Sequence, residues 1–161
     1  MPSMQFRAGV VAVVTDASGH VMAFERSDVP GAWQLPQGGI DVGEATGDAA
    51  WRELFEETGL GPDQVELIGE YPEWTIYEWP PEVRDGGRRH SRQRLGQVQR
   101  WFVFRVRDDT IEPTPDGVEF GAWQWVEPSW LVDQVVEFRR PAYERVLGGL
   151  DGAGGGMLDS G

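Results

Sequence analysis

Hydrophobic and polar positions divide the chain into short strands and three helical segments. Phe6–Val14 is rich in valine and reads as a buried strand. A turn at Asp16–Gly19 leads into a second strand, His20–Arg26, so the two are expected to form a hairpin. Asp28–Gly31 is a loop, and Trp33–Leu35 has room for a short strand. Ala45–Thr58 carries a helical pattern. Gly59, Gly61 and Pro62 follow where a glycine cap and a later proline would stop it. Val65–Trp79 reads as one long extended segment, and Pro80–Arg94 as a polar loop. Gln97–Val106 alternates as a strand, Asp108–Gly117 is a loop, and Glu119–Val126 is a further strand. Prolines at 128 and 141 open two short helices, through Val135 and Leu147. The rest, GGLDGAGGGMLDSG, is too rich in glycine to bury a core and is expected to be a flexible tail. The pattern implies an α/β fold with one domain over residues 1–147, a tail over 148–161 and no internal repeat.

Composition narrows the function. A chain of 161 residues suits one domain with a sizeable core. It has no apolar run of about 18 residues, so no membrane helix is expected, and no basic-then-apolar leader. Absence of cysteine rules out disulfides and thiolate metal sites and fits a cytoplasmic protein. The formal charge of −13 argues against indiscriminate nucleic-acid binding. Every basic side chain is arginine, and five of the 14 fall between Arg84 and Arg94. That segment is either a solvated counterweight to the acidic body or a phosphate contact.

The chemistry concentrates in GGIDVGEATGDAAWRELFEETGL, residues 38–60. On a helix, Glu53, Glu56 and Glu57 are related by i, i+3 and i+4 and share a face. Three carboxylates so placed repel one another, and a hard divalent cation with oxygen ligands, Mg²⁺ or Mn²⁺, is the usual remedy. Arg52, four residues before Glu56, is placed to hold it by a charged hydrogen bond. Gln37, Gly38 and Gly39 precede the helix, and their bare backbone can approach a metal or a phosphate. The two histidines have no metal-ligand spacing, and the tryptophans are expected mostly in the core.

The spaced set Gly38-x5-Glu44-x7-Arg52-Glu53-Leu54-x-Glu56-Glu57-x-Gly59-Leu60 resembles the Nudix box without a departure. The resemblance implies an α/β/α sandwich with a mixed sheet, and hydrolysis of a nucleoside diphosphate linked to another group. Residues 32–39, 96–102, 119–126 and 136–143 resemble one branch of that family. The branch holds bacterial RNA pyrophosphohydrolases and plant-type asymmetric diadenosine tetraphosphate hydrolases, and the likeness covers roughly residues 5 to 147. Tyr77–Arg84 looks more like the tetraphosphate hydrolases. Ala8-Gly9 after Arg7 departs from the Pro-Asn often found there.

What the resemblance implies for single residues is specific. Glu53, Glu56 and Glu57, with Gly38 on the approach and Glu119 from a strand end, would hold the metal. Glu57, or else Glu53, would take the proton from the attacking water, and Arg52 belongs to the same catalytic set. Arg7 and Arg26 would neutralise phosphate. Tyr77, Gln97, Phe138 and Arg139 are candidates for the substrate pocket, although Phe138 could equally pack in the core. The substrate would be a nucleoside polyphosphate or the 5′ end of an RNA. A Nudix-fold module that senses a nucleotide without cleaving it is the alternative from another class. Protein partners are not legible in the sequence.

Overall fold

The computed structural model of the chain describes residues 5–81 and 94–153. Its organising strands are β1 (Gln5–Thr15) and β7 (Arg94–Val106), which run parallel from Gln5↔Arg94 to Thr15↔Arg105. Every other pairing is antiparallel. β2 (Val21–Arg26) follows the turn and meets β1 at Thr15↔Val21. β3 (Trp33–Gln34) pairs β2, and β4 (Gln37–Gly39) pairs β1. β5 (Val65–Glu70) and β6 (Thr75–Glu78) both lie along β7, and β8 (Phe120–Val126) lies along β2. The result is a mixed sheet with the path β3-β2-β1-β7-β5.

The valine run explains why β1 is central. Val10, Val11, Ala12, Val13 and Val14 are all buried, as expected of a strand covered on both faces. Alternate residues feed two cores. Val10, Ala12 and Val14 join Phe102 and Phe104 beneath α1 (Thr46–Thr58), which contributes Ala49, Ala50 and Leu54. Val11 and Val13 join Trp101 and Val103 on the opposite face. There α2 (Pro128–Gln134) supplies Leu131 and α3 (Arg140–Ala153) supplies Tyr143, Val146 and Leu147. This is the expected α/β/α sandwich.

Four details depart from the sequence reading. The extended segment over Val65–Trp79 is two strands. Its ladder with β7 is interrupted around Pro72, which has no N–H to donate, although the Tyr71 N–H still reaches the Trp101 carbonyl at 2.9 Å. β4, expected only as an approach loop, is a short strand paired with Gly9–Val11. A 3₁₀ turn over Glu137–Arg139 precedes α3. The last helix runs to Ala153 rather than stopping at Leu147. Gly148 and Gly149 do not break it, because Leu150 beyond them packs against the core. The rest of the expected tail, and all of the arginine-rich segment except Arg94, lie outside the described residues.

Candidate active site

The site begins at the end of α1. Gly59 takes a left-handed conformation (φ 74°), and its N–H closes the helix on the Phe55 carbonyl at 2.9 Å. That stop leaves Glu53 and Glu57 on the turns facing β4. The fit there depends on glycine. A Cβ on Gly38 would overlap the Glu53 carboxyl group, and one on Gly39 would lie 2.6 Å from Arg7 Nη2. Gly9 lies against the Gly38 carbonyl. A Cβ on Gly9 would stand 2.7 Å from that oxygen.

Arg52 ties these pieces together. Its guanidinium donates two bonds to Glu44, Nε to Oε2 and Nη2 to Oε1, both at 2.9 Å. It also donates to the Gly39 carbonyl at 2.9 Å and to Glu53 Oε1 at 2.8 Å. The bond to Glu56 expected from the i, i+4 spacing is present but is the longest, at 3.3 Å. Glu44 is therefore the main partner, and Arg52 holds its carboxyl down at about 2.

Most of the residues singled out in the sequence meet in one cavity of about 340 Å³. Glu53, Glu57 and Glu119 line it together with Gly38 and Gly39. Arg7, Arg26 and Arg139 line it too, and Gln34, Gln37 and Gln97 complete the wall. Glu57 is 9% exposed and accepts the Gln37 N–H at 3.1 Å. Burial, aided by the charge of Glu53, pushes its carboxyl up to about 9, and burial also raises that of Glu53. Arg26 is held by a two-pronged bond to Asp28 (3.0 and 2.8 Å). Arg139 donates to Gln34 at 2.9 Å and stacks over the Tyr77 and Phe138 rings, and its buried Nε has no hydrogen-bond partner among the described residues.

Tyr77 and Phe138 stand behind this wall. Their rings are 5.5 Å apart, and the Tyr77 hydroxyl donates to Gln97 Oε1 at 3.1 Å. Buried Gln99 donates to Gln97 at 2.8 Å and to Gln37 at 3.1 Å. Gln34 and Gln99 were missed in the sequence. The available signal was the i, i+2 spacing of Gln97 and Gln99, which puts two amides on one face of a strand whose next same-face residue is Trp101.

Glu56 is not brought to the cavity. Its carboxylate is 55% exposed and turned toward Arg52. Among the described residues no three acidic or histidine side chains are already drawn together as a ligand set. Arg52 pulls on Glu53 and Glu56, while Glu57 is occupied by the Gln37 amide. The donor chemistry nevertheless fits a hard divalent cation. Glu53, Glu57 and Glu119 offer oxygen ligands around one cavity, and burial disfavours an ionised Glu57 unless a cation accompanies it.

An α/β/α sandwich whose cavity sets carboxylates from a helix against arginines defines the class: a hydrolase of charged phosphate anhydrides. A family model described as the NUDIX domain matches residues 5–146, and the chain belongs to the Nudix family. An RNA pyrophosphohydrolase of Rhodospirillum rubrum is 42% identical over 151 residues, which span 92% of this chain and 89% of that one. Nudix hydrolase 26, chloroplastic, of Arabidopsis thaliana is 39% identical over 152 residues, 91% of this chain and 69% of its own. Among solved structures, the dihydroneopterin triphosphate pyrophosphohydrolase of E. coli superposes with a TM-score of 0.71. It is 21% identical and covers 90% of this chain and 98% of its own. A C. elegans Ap4A hydrolase gives 0.64 at 17% identity over 86% and 93%. These two likenesses establish the fold. The protein is a pyrophosphohydrolase acting on phosphoric anhydride bonds, in a family that generally depends on divalent metals. No helix among the described residues is long and apolar enough to cross a membrane.

Proposed function

We propose that this enzyme removes pyrophosphate from 5′-triphosphorylated RNA. The observation that carries the reading is the pairing of a carboxylate wall with three arginines in one cavity, in a chain 42% identical to a bacterial RNA pyrophosphohydrolase across most of both lengths. Glu53, Glu57 and Glu119 would hold the metal, with Gly38 beside them, and Glu56, which here faces Arg52 and solvent, would join them only by turning toward the cavity. We assign it as Mg²⁺, with Mn²⁺ an acceptable substitute. When bound, the ion neutralises phosphate oxygens and lowers the pKa of a coordinated water.

The protein's own residues do the rest. Arg7, Arg26 and Arg139 take up the negative charge of the phosphate chain, and Arg26 exchanges its Asp28 partner for phosphate oxygens. Glu57 accepts the proton of the attacking water. Burial favours its protonated form, so a cation bound beside it would be what keeps it ionised and able to act as a base. Water adds in line at one phosphorus as the bond to the bridging oxygen breaks. The products are pyrophosphate and a 5′-monophosphorylated RNA. Arg52 acts by fixing Glu53 and the Gly39 carbonyl. The Tyr77–Phe138 pair with Arg139 over it favours a second activity, asymmetric splitting of diadenosine tetraphosphate, by offering a base a stacking surface. The absence of cysteine supports a cytoplasmic setting.

The test sets triphosphorylated RNA against diadenosine tetraphosphate at the same Mg²⁺ concentration, with Glu57→Gln as control. Pyrophosphate release from RNA is expected to lead. The variant should lose roughly 10²-fold or more in kcat, the scale of losing a strong transition-state charge stabiliser. Splitting of the dinucleotide without release of pyrophosphate from RNA would replace the first reading by the second. Full turnover by the variant would refute the carboxylate assignment.

A further inference from the structure

Glu119 reaches the cavity from the turn before β8, far in sequence from α1, so something other than local helix geometry must place it. Asp116 does so by a dense set of bonds. Its Oδ1 accepts three consecutive backbone N–H groups: Val118 at 3.0 Å, Glu119 at 2.8 Å and Phe120 at 3.0 Å. Its own N–H donates to the Glu57 carbonyl at 3.2 Å. One residue therefore spans the two elements that carry cavity carboxylates. The remaining backbone group of Glu119, its carbonyl, accepts the Ser27 N–H at 3.0 Å beside Arg26. The turn is completed by Gly117 at φ 79°, whose N–H closes on the Phe120 carbonyl at 2.9 Å. Two residues upstream, the Thr114 N–H bonds the Thr58 carbonyl at 2.7 Å, tying the same segment to the end of α1.

We infer that Asp116 is a positioning residue for the metal site: it fixes Glu119 relative to Glu57 and so sets the geometry in which the two carboxylates share a cation. The inference rests on the reading of Glu119 as a ligand. Asp116 itself does not line the cavity, so its action passes through Glu119. Two features identify it as a brace rather than a ligand. One carboxylate oxygen is committed to three amides, and its backbone is committed to α1. An isolated glutamate on a turn samples many positions; with N–H and C=O both bonded, Glu119 retains only side-chain freedom.

Mn²⁺ affinity, read by electron paramagnetic resonance on the protein without substrate, tests this apart from turnover. Removing an outer partner of a metal ligand typically costs 10- to 100-fold in metal affinity. Asp116→Ala is expected to weaken Mn²⁺ by about tenfold. Asp116→Asn keeps an oxygen acceptor without the charge and should stay within about threefold of the parent, less than that range. Glu119→Gln should weaken binding at least as much as Asp116→Ala, and the double variant no more than Glu119→Gln alone. Should Asp116→Ala fail to fold by circular dichroism, Gly117→Ala strains the same turn and takes its place, again weakening Mn²⁺.

Parent-like affinity in Asp116→Ala overturns the proposal. So does equal loss in Asp116→Asn and Asp116→Ala, which would show that charge rather than placement matters. Additive losses in the double variant overturn it as well. A Glu119→Gln protein that binds Mn²⁺ like the parent overturns the assignment of Glu119, and the role of Asp116 with it.

Discussion

Gly38→Ala should separate folding from catalysis. The added Cβ would occupy the space of the Glu53 carboxyl group. Because that group is the far end of a flexible side chain, the backbone need not yield. The carboxylate would retreat by about 1 Å or more to regain van der Waals distance, a displacement that can cost about 10² in rate. In retreating it would lose its 2.8 Å bond from Arg52, leaving the guanidinium on Glu44 and the Gly39 carbonyl. One partly exposed charged hydrogen bond is worth on the order of 1 kcal/mol after solvent screening. The variant should therefore keep its fold, with a small drop in urea midpoint, and lose roughly 100-fold in kcat at saturating Mg²⁺. Mn²⁺ binding should weaken in parallel. Full activity would show that Glu53 does not work from the position seen here. Loss of the fold would show that the helix depends on this contact more than the bond inventory allows.

Further predictions follow from other contacts. Gly96→Ala meets backbone, overlapping the Tyr77 carbonyl and lying 2.7 Å from Glu78 Cα. The β6–β7 ladder cannot yield cheaply, and urea unfolding should show a loss of about 1–3 kcal/mol. Glu44 titrates near 2 in the folded chain against an ordinary 4.5, so the unfolded chain binds the extra proton between those values. Stability should fall as pH drops through that window, and Glu44→Gln should flatten this part of the profile; parallel profiles would sink the idea. Glu57 has the opposite sign, its proton being held more tightly when folded. Metal-free Glu57→Gln should therefore be more stable than the parent above pH 4.5, the gain growing toward pH 9; thermal melts across that range decide it. Ending the chain after Gly149 removes Leu150 from the core edge and should cost roughly 1 kcal/mol, about half the value of burying a full leucine; Leu150→Ala should reproduce the loss of melting temperature.

Where the sequence was legible, a period or a short-range spacing carried the information. The valine run announced the central strand. The glutamates and Gly59 announced the helix and its end. The same spacing does not tell which of the three carboxylates the cavity takes, and Glu56 stands apart from the other two. At about 100° per residue, Glu57 lies only about 40° around the axis from Glu53, whereas Glu56 lies about 60° to the other side and about 100° from Glu57. A face that holds the first pair toward β4 turns Glu56 outward to Arg52 and solvent. The three carboxylates share a helix face, but the cavity is narrower than that face. Length carried the error at α3. Glycines at 148 and 149 read as a stop, but the contact of Leu150 with the core that Tyr143, Val146 and Leu147 already join is tertiary and outweighs their propensity.

Gln97 and Gln99 show how the rest of the site becomes readable. On β7 they share the face that carries Trp101 and Val103 into one core. Both are buried, and a buried amide costs free energy unless its donors and acceptor are met. Two of them in succession on an otherwise apolar face therefore imply that the core stops there and a polar cavity begins. Tyr77 and Gln37 satisfy them from the neighbouring strands, and the open side faces Glu57 and Arg139. The boundary of the site was thus written in strand alternation as well as in the glutamate helix. What alternation could not show is that a turn more than 50 residues beyond the helix, braced by Asp116, returns Glu119 to the same cavity.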